Sequence, residues 1–288
     1  MNLAEEYLKI AKKDLKATKI LYENKLYAQA LFYFEQSVEK ANKVLALTSN
    51  KYSEKDMINF NHDVTRIYKD NIIEQKRRYE NLSRNLNQIS ELKNTEFVKN
   101  FDIESRKKEC EEFLRNLAEI QTERNDLIFI STWEIRDILT EISENDKEIK
   151  DSIKSVSNFR LTENDWEEMK NDIFKQFENP NNNNLASSLQ KEMDDSKLSI
   201  QELETGLKKM YLQMIHLMSV SSYLYHLGIL TLPHAVIARY PKGDLSPMDI
   251  YNQKLPIIKY LPDLIEQHSK ALKILNKYYN EYYLNPAQ

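Results

Sequence analysis

Leu3-Ala4-Glu5-Glu6-Tyr7-Leu8-Lys9-Ile10-Ala11-Lys12-Lys13-Asp14-Leu15 opens a chain of 288 residues and decides how the rest is read. Leu3, Tyr7, Ala11, Leu15, Thr18 and Tyr22 recur at three- and four-residue spacing, while Lys12, Lys13, Lys16 and Lys19 fall off that stripe. This is the pattern of an amphipathic helix. After a polar joint at Asn24-Lys25 the stripe restarts as Tyr27, Leu31, Phe34, Val38, Ala41 and Leu45. Two such helices joined by so short a link predict an antiparallel hairpin.

Working outward, the next signal is punctuation. Neither glycine nor proline occurs between Met1 and Asn179, so a stretch rich in Glu, Lys, Leu and Ile is denied its usual breakers and predicts long helices. Ser53 with Asp56 reads as a capping box opening a third helix that carries His62 and Arg66. From about Asn71 the charges grow denser and the apolar residues sparser. Ile135, Ile138, Ile142, Ile149 and Val156 fall on heptad positions and suggest a coiled-coil-like seam, interrupted at Asn145 and Ser152. Thr162 with Asp165 caps a helix before Trp166, and Asn179-Pro180 with Asn181 to Asn184 reads as a turn or loose link. Ser199 with Glu202 opens a helix running through Tyr211, Ile215, Met218 and Leu224, predicted to stop at Gly228. Six of the seven prolines follow, including the helix start Ser246-Pro247-Met248-Asp249. A last helix after Pro262 buries Leu264, His268, Leu272, Leu275, Tyr279 and Tyr282.

Composition excludes several classes of function. No apolar run approaches the ~20 residues needed to span a bilayer, and no basic region followed by an apolar run opens the chain, so a cytoplasmic protein without a membrane partner is expected. The single cysteine, Cys110, excludes an internal disulfide and a cysteine-built zinc site. A formal charge of −4 argues against coating nucleic acid by bulk electrostatics and leaves room for a small local site.

The segments Glu6-Tyr7-Leu8-Lys9-Ile10-Ala11, Leu26-Tyr27-Ala28-Gln29-Ala30 and Gln36-Ser37-Val38-Glu39-Lys40-Ala41 resemble the first two helices of HEPN domains. Asn61-His62-Asp63-Val64 is similar to the histidine-led start of that family's third helix, and Ala238-Arg239-Tyr240-Pro241 to its Arg-Tyr-Pro signature before the final helix. The resemblance implies an all-α fold: an antiparallel up-down bundle built from residues 1–71 and 207–288, with residues 72–206 inserted as a long helical, coiled-coil-like arm. It also implies roles. Many HEPN proteins are metal-independent ribonucleases of toxin–antitoxin and anti-phage systems, while others bind nucleotides or pair with nucleotidyltransferases. The ribonuclease branch carries an arginine, four to six residues, then a histidine. Here the corresponding positions are Phe129, Ile130 and Ser131 after Arg124, Asp244, Leu245 and Ser246 after Arg239, and Asn71, Ile72 and Ile73 after Arg66. The general acid–base group and the phosphate-stabilising cation are therefore not presented together in one motif.

His62 and Arg66, four apart on one predicted helix, would place a titratable donor beside a fixed cation, which suits phosphate. Arg239 and Lys242 are held among prolines, where rigid turns fix a cation at little entropic cost and a guanidinium binds phosphate bidentately. His216, His226 and His234, spaced ten and eight apart without an acidic cluster, do not make a metal site, and no cofactor is expected. The tyrosines from Tyr278 to Tyr283 read as core or homodimer interface, and the basic runs Lys76-Arg77-Arg78 and Arg106-Lys107-Lys108 as solvated helix faces.

The resulting expectation is a non-catalytic or atypical HEPN protein of a toxin–antitoxin or anti-phage defence system. It would bind a nucleotide or RNA through His62, Arg66, Arg239 and Lys242, or a protein partner such as a nucleotidyltransferase, and would pair as a homodimer. The alternative is an atypical ribonuclease using His62 or His234 with Arg239 across the fold. A third reading makes the inserted arm a helical docking scaffold.

Overall fold

The computed structural model describes residues 2–49, 51–60, 63, 65–88, 102–122, 126–177, 191, 199–241 and 246–284; Asn179 to Asn184, read above as a link, lie outside them. The described elements are helical and no strand occurs among the described residues.

Helix α1 (Leu3–Glu23) begins at Asn2, whose Oδ1 accepts the N–H groups of Ala4 and Glu5 at 3.0 and 3.3 Å. Ala4, Leu8, Ala11, Leu15 and Thr18 form its buried face, as the spacing predicts. The reversal into α2 (Tyr27–Thr48) turns on Lys25, held at φ 61°. The N–H of Lys25 reaches the Tyr22 carbonyl and that of Leu26 the Leu21 carbonyl, both at 2.9 Å. These bonds close the end of α1 with a left-handed residue that is not glycine. The hairpin is present.

Beyond it, Asp56 accepts the Ser53 N–H and hydroxyl at 2.7 Å, so the predicted cap starts α3 (Glu54–Asn59). That helix then ends, and Arg66 stands on a separate α4 (Thr65–Gln88). Asp63 accepts the Thr65 N–H at 3.1 Å and starts the new helix, so the single helix expected to carry His62 and Arg66 is corrected to two. Next come α5 (Ile103–Thr122), a short 3₁₀ turn (Asp126–Phe129), α6 (Thr132–Asn158) and α7 (Glu163–Phe177), the last capped by Thr162 and Asp165 as read. Helix α8 (Ile200–Thr231) opens at Ser199 and Glu202 but runs past Gly228. The Leu232 N–H still bonds the Gly228 carbonyl at 3.0 Å, and it is Pro233, lacking an N–H, that ends the ladder. Short helices α9 (His234–Ile237), α10 (Pro247–Ile250) and α11 (Pro256–Lys259) lead to α12 (Leu261–Tyr278), followed by a π-helical turn, Tyr279–Leu284.

The chain divides into two compact units. The first comprises Met1–Asn71, Arg115–Ser152 and Gln213–Gln288. Its core takes Leu31, Phe34 and Val38 from α2, Leu224 and Leu227 from α8, and Leu264, Leu272 and Leu275 from α12. Ile135 and Ile142 join that core and Ile138 packs against it, so these heptad isoleucines serve the bundle rather than a separate seam. Asn145 and Asp146 bind Ser222 and Tyr223 at 3.1 and 2.9 Å, again within the first unit. Residues 115–152 therefore depart from the expected 72–206 arm.

The second unit comprises Ile72–Leu114 and Ile153–Leu212. Its basic runs are paired with acids: Lys76 with Glu111 at 2.8 Å, Arg106 with Glu109 and Lys107 with Glu104 at 3.0 Å. These are solvated, mutually neutralised faces. No helix among the described residues is long and apolar enough to cross a membrane.

Candidate functional site

Arg239 sits one turn past α9, where the Arg239 and Tyr240 N–H groups both bond the Val236 carbonyl. Its Nε donates to the Ala235 carbonyl at 3.1 Å, which spends that donor on its own turn and fixes the plane of the head group. The guanidinium carbon lies 4.9 Å from the centre of the Phe32 ring on α2 and 5.2 Å from that of Tyr240. Both contacts are within cation–π reach. The side chain is nevertheless exposed, so its terminal N–H groups remain at the surface. Tyr240 is 58% exposed and Tyr33, whose ring centre is 5.2 Å from that of Phe32, is 37% exposed. A fixed cation is thus set in a ledge of aromatic rings.

Beneath this ledge α2 buries an ionisable group that the sequence reading did not single out. Glu35 is 2% exposed, and burial, reinforced by the neighbouring Glu39, pushes its carboxyl up to about 7. The Gln36 amide donates to it at 2.7 Å, and the charges of Lys40 and Arg239 work the other way. Glu39, equally buried, is paired with Lys43 at 2.7 Å and Lys40 at 3.4 Å. Its charge is balanced where it stands, whereas Glu35 holds a proton near neutrality. A signal for Glu35 was present: it lies four residues after Leu31 and three before Val38, on the apolar stripe itself.

The other candidates fall elsewhere. His234 is wholly buried, and its Nδ1 is 2.9 Å from the Tyr251 hydroxyl. Burial depresses it to about 3, so the ring is neutral and faces inward, bracing the proline-rich segment rather than standing beside Arg239. Arg66 packs its guanidinium 5.4 Å from the Phe60 ring, near the far end of α2. Two residues further on, Tyr68 bonds Asn42 at 2.7 Å, ten residues along α2 from Phe32, which is about 15 Å of helix, so Arg66 and Arg239 do not share a pocket. His62 and Lys242 lie outside the described residues. His216 meets Tyr282, and His226 meets the Ser222 carbonyl and Glu141, so neither approaches His234's partner.

Compared with known proteins, residues 4–127 match the family model of the HEPN domain. Over that stretch the chain is similar to a HEPN domain. The match takes in α1, α2 and the Asn61–Val64 segment, and continues through α5, which the resemblance had assigned to an insertion. The Arg239 turn and α12 lie beyond it, so the aromatic ledge joins α2, within the matched stretch, to a later part of the chain. No curated protein and no solved structure matches the chain.

Proposed function

We propose that this HEPN-domain protein works by binding rather than by catalysis. It holds a nucleotide or the end of an RNA strand on the Arg239 ledge, as a component of a toxin–antitoxin or anti-phage defence system. The carrying observation is the fixed guanidinium set against Phe32 and Tyr240, with Tyr33 beside Phe32: the cation suits a phosphate and the exposed tyrosine rings suit a base. Two facts favour binding over cleavage. No arginine is followed by histidine at ribonuclease spacing, and His234 is buried and neutral, which removes it as a proton donor at the ledge. Pairing with a second copy, or with a nucleotidyltransferase, belongs to the same proposal.

Calorimetry with ATP and with a short oligouridylate tests it. Arg239→Ala is expected to weaken whichever ligand binds by about tenfold, the loss of roughly 1.4 kcal/mol of charge-assisted contact. Unchanged affinity would remove the site. Cleavage of cellular RNA by the purified protein, abolished by His234→Ala with folding intact, would replace binding with catalysis.

A further inference from the structure

Helix α1 carries a charge pattern that the Arg239 ledge does not use. From Tyr7 to Tyr22 it holds Lys9, Lys12, Lys13, Lys16 and Lys19 against a single acid, Asp14. Asp14 is half-buried among Lys40 and Glu39, and Lys9 is taken by Glu5 and Glu6 at 2.8 and 3.0 Å. The remaining four lysines are exposed, and none is ion-paired among the described residues. Lys12, Lys16 and Lys19 follow one another by four and three, so they share one stripe along the helix. In a chain of net charge −4 this is a local concentration of cations, not a consequence of bulk composition.

At Lys12 the stripe meets a pocket between α1 and α12, about 240 Å³ in volume, lined by Lys12, Leu15, Ser269, Leu272, Lys273 and Asn276. No carboxylate lines it. Lys12 Nζ donates to Asn276 Oδ1 at 2.7 Å, a cross-helix bond that steadies the ammonium and leaves it two further donors. Lys273 supplies a second ammonium and Ser269 a hydroxyl, above a floor made by buried Leu15 and Leu272. An apolar floor lowers the local dielectric and strengthens attraction for an anion held above it. That volume is enough for a phosphate and part of what bears it.

We infer that the α1–α12 pocket binds a terminal phosphate group of a polyanion, with the lysine stripe drawing the remaining charges toward it. The phosphate can come from a free polyphosphate chain or from the 5′ end of a nucleic-acid strand; the pocket chemistry is the same for both. This site is separate from Arg239, which lines no part of it.

The test titrates the full chain, at about 50 mM salt, with inorganic tripolyphosphate and with 5′-phosphorylated octauridylate, where phosphate contacts count most. At least one probe is expected to bind, to lose about tenfold or more in Lys12→Ala/Lys273→Ala, and to stay within about twofold in Lys13→Ala; tripolyphosphate, which offers no base to the Arg239 ledge, is also expected to bind Arg239→Ala within about twofold. The probe that binds identifies the source. All the altered lysines are exposed, so folding is expected to persist, and circular dichroism checks it. Binding by neither probe would overturn the inference. So would equal affinity in the double variant, equal loss in Lys13→Ala, or loss of tripolyphosphate binding in Arg239→Ala.

Discussion

Replacing Glu35 by Gln should make this protein markedly more sensitive to acid, because Glu35 opposes two buried histidines. His234 and His268 are wholly buried and depressed to about 3, chiefly by desolvation, against about 6.5 in an unfolded chain. Ser37 explains how His268 is held neutral. The Ser37 hydroxyl gives its proton to the Ala11 carbonyl at 2.6 Å, so it must accept from His268 Nε2 at 2.8 Å, and Nδ1 is left bare and buried. Since the folded pKa lies below the unfolded one, the histidine contribution is intact above about 6.5 and is lost as pH falls. Between pH 7.5 and 5.5 the two histidines together cost about 3 kcal/mol. Glu35 has the opposite sign. Its folded value of about 7 lies above the unfolded 4.5, so its contribution is full below 4.5 and lost as pH rises through 7. Over the same interval it returns about 2 kcal/mol on acidification. The parent should therefore lose about 1 kcal/mol from these three groups, and Glu35→Gln, a neutral stand-in for the protonated acid, nearly 3 kcal/mol. Urea unfolding at the two pH values, followed by far-ultraviolet circular dichroism, measures the difference, in which the other titrating groups cancel. Equal losses in the two proteins would refute the reasoning.

Lys25→Gly relieves a side chain held at φ 61° and should raise unfolding free energy by about 1 kcal/mol, seen as a higher melting temperature. Ser37→Ala removes the acceptor of a buried His268 N–H and should cost about 1–3 kcal/mol. The double variant Ser37→Ala/His268→Leu should lose less than the two single changes together, because no orphaned donor remains; additivity in the cycle would count against the bond. Phe34→Ala, at a fully buried position on α2, should cost about 3–5 kcal/mol by the same unfolding measurement.

The helical hairpin was legible because its apolar residues keep helical spacing over two long runs, and the caps at Ser53, Thr162 and Ser199 because capping needs particular side chains three residues apart. What escaped depends on distant packing. Ile135 and Ile142 have the spacing of a free-standing seam, and only the arrival of α8 and its partners in the first unit shows where that face is buried. Gly228 looked like a stop, yet it is buried with the helix around it, where packing overrides its weak helix propensity, and the helix runs on to Thr231. Arg66 was separated from its proposed helix by Asp63, a capping residue easily passed over in a charged stretch. At the candidate site Arg239 was readable from its turn, whereas the inward placement of His234 was not. A histidine among prolines looks the same in sequence whether it faces solvent or the Tyr251 hydroxyl.

The chain of contacts from the Ala11 carbonyl through Ser37 to His268 ties α1, α2 and α12 together, and 231 residues separate the last two members. On a ribosome adding roughly 5–20 residues per second, the first hairpin would wait about 10–50 s for the helix that covers it. Through that interval Phe34 and Val38 lack their final cover while the rest of the polypeptide is still being made. A newborn chain of this design is thus exposed to aggregation late into its own synthesis, and holding chaperones would find their target in its opening helices.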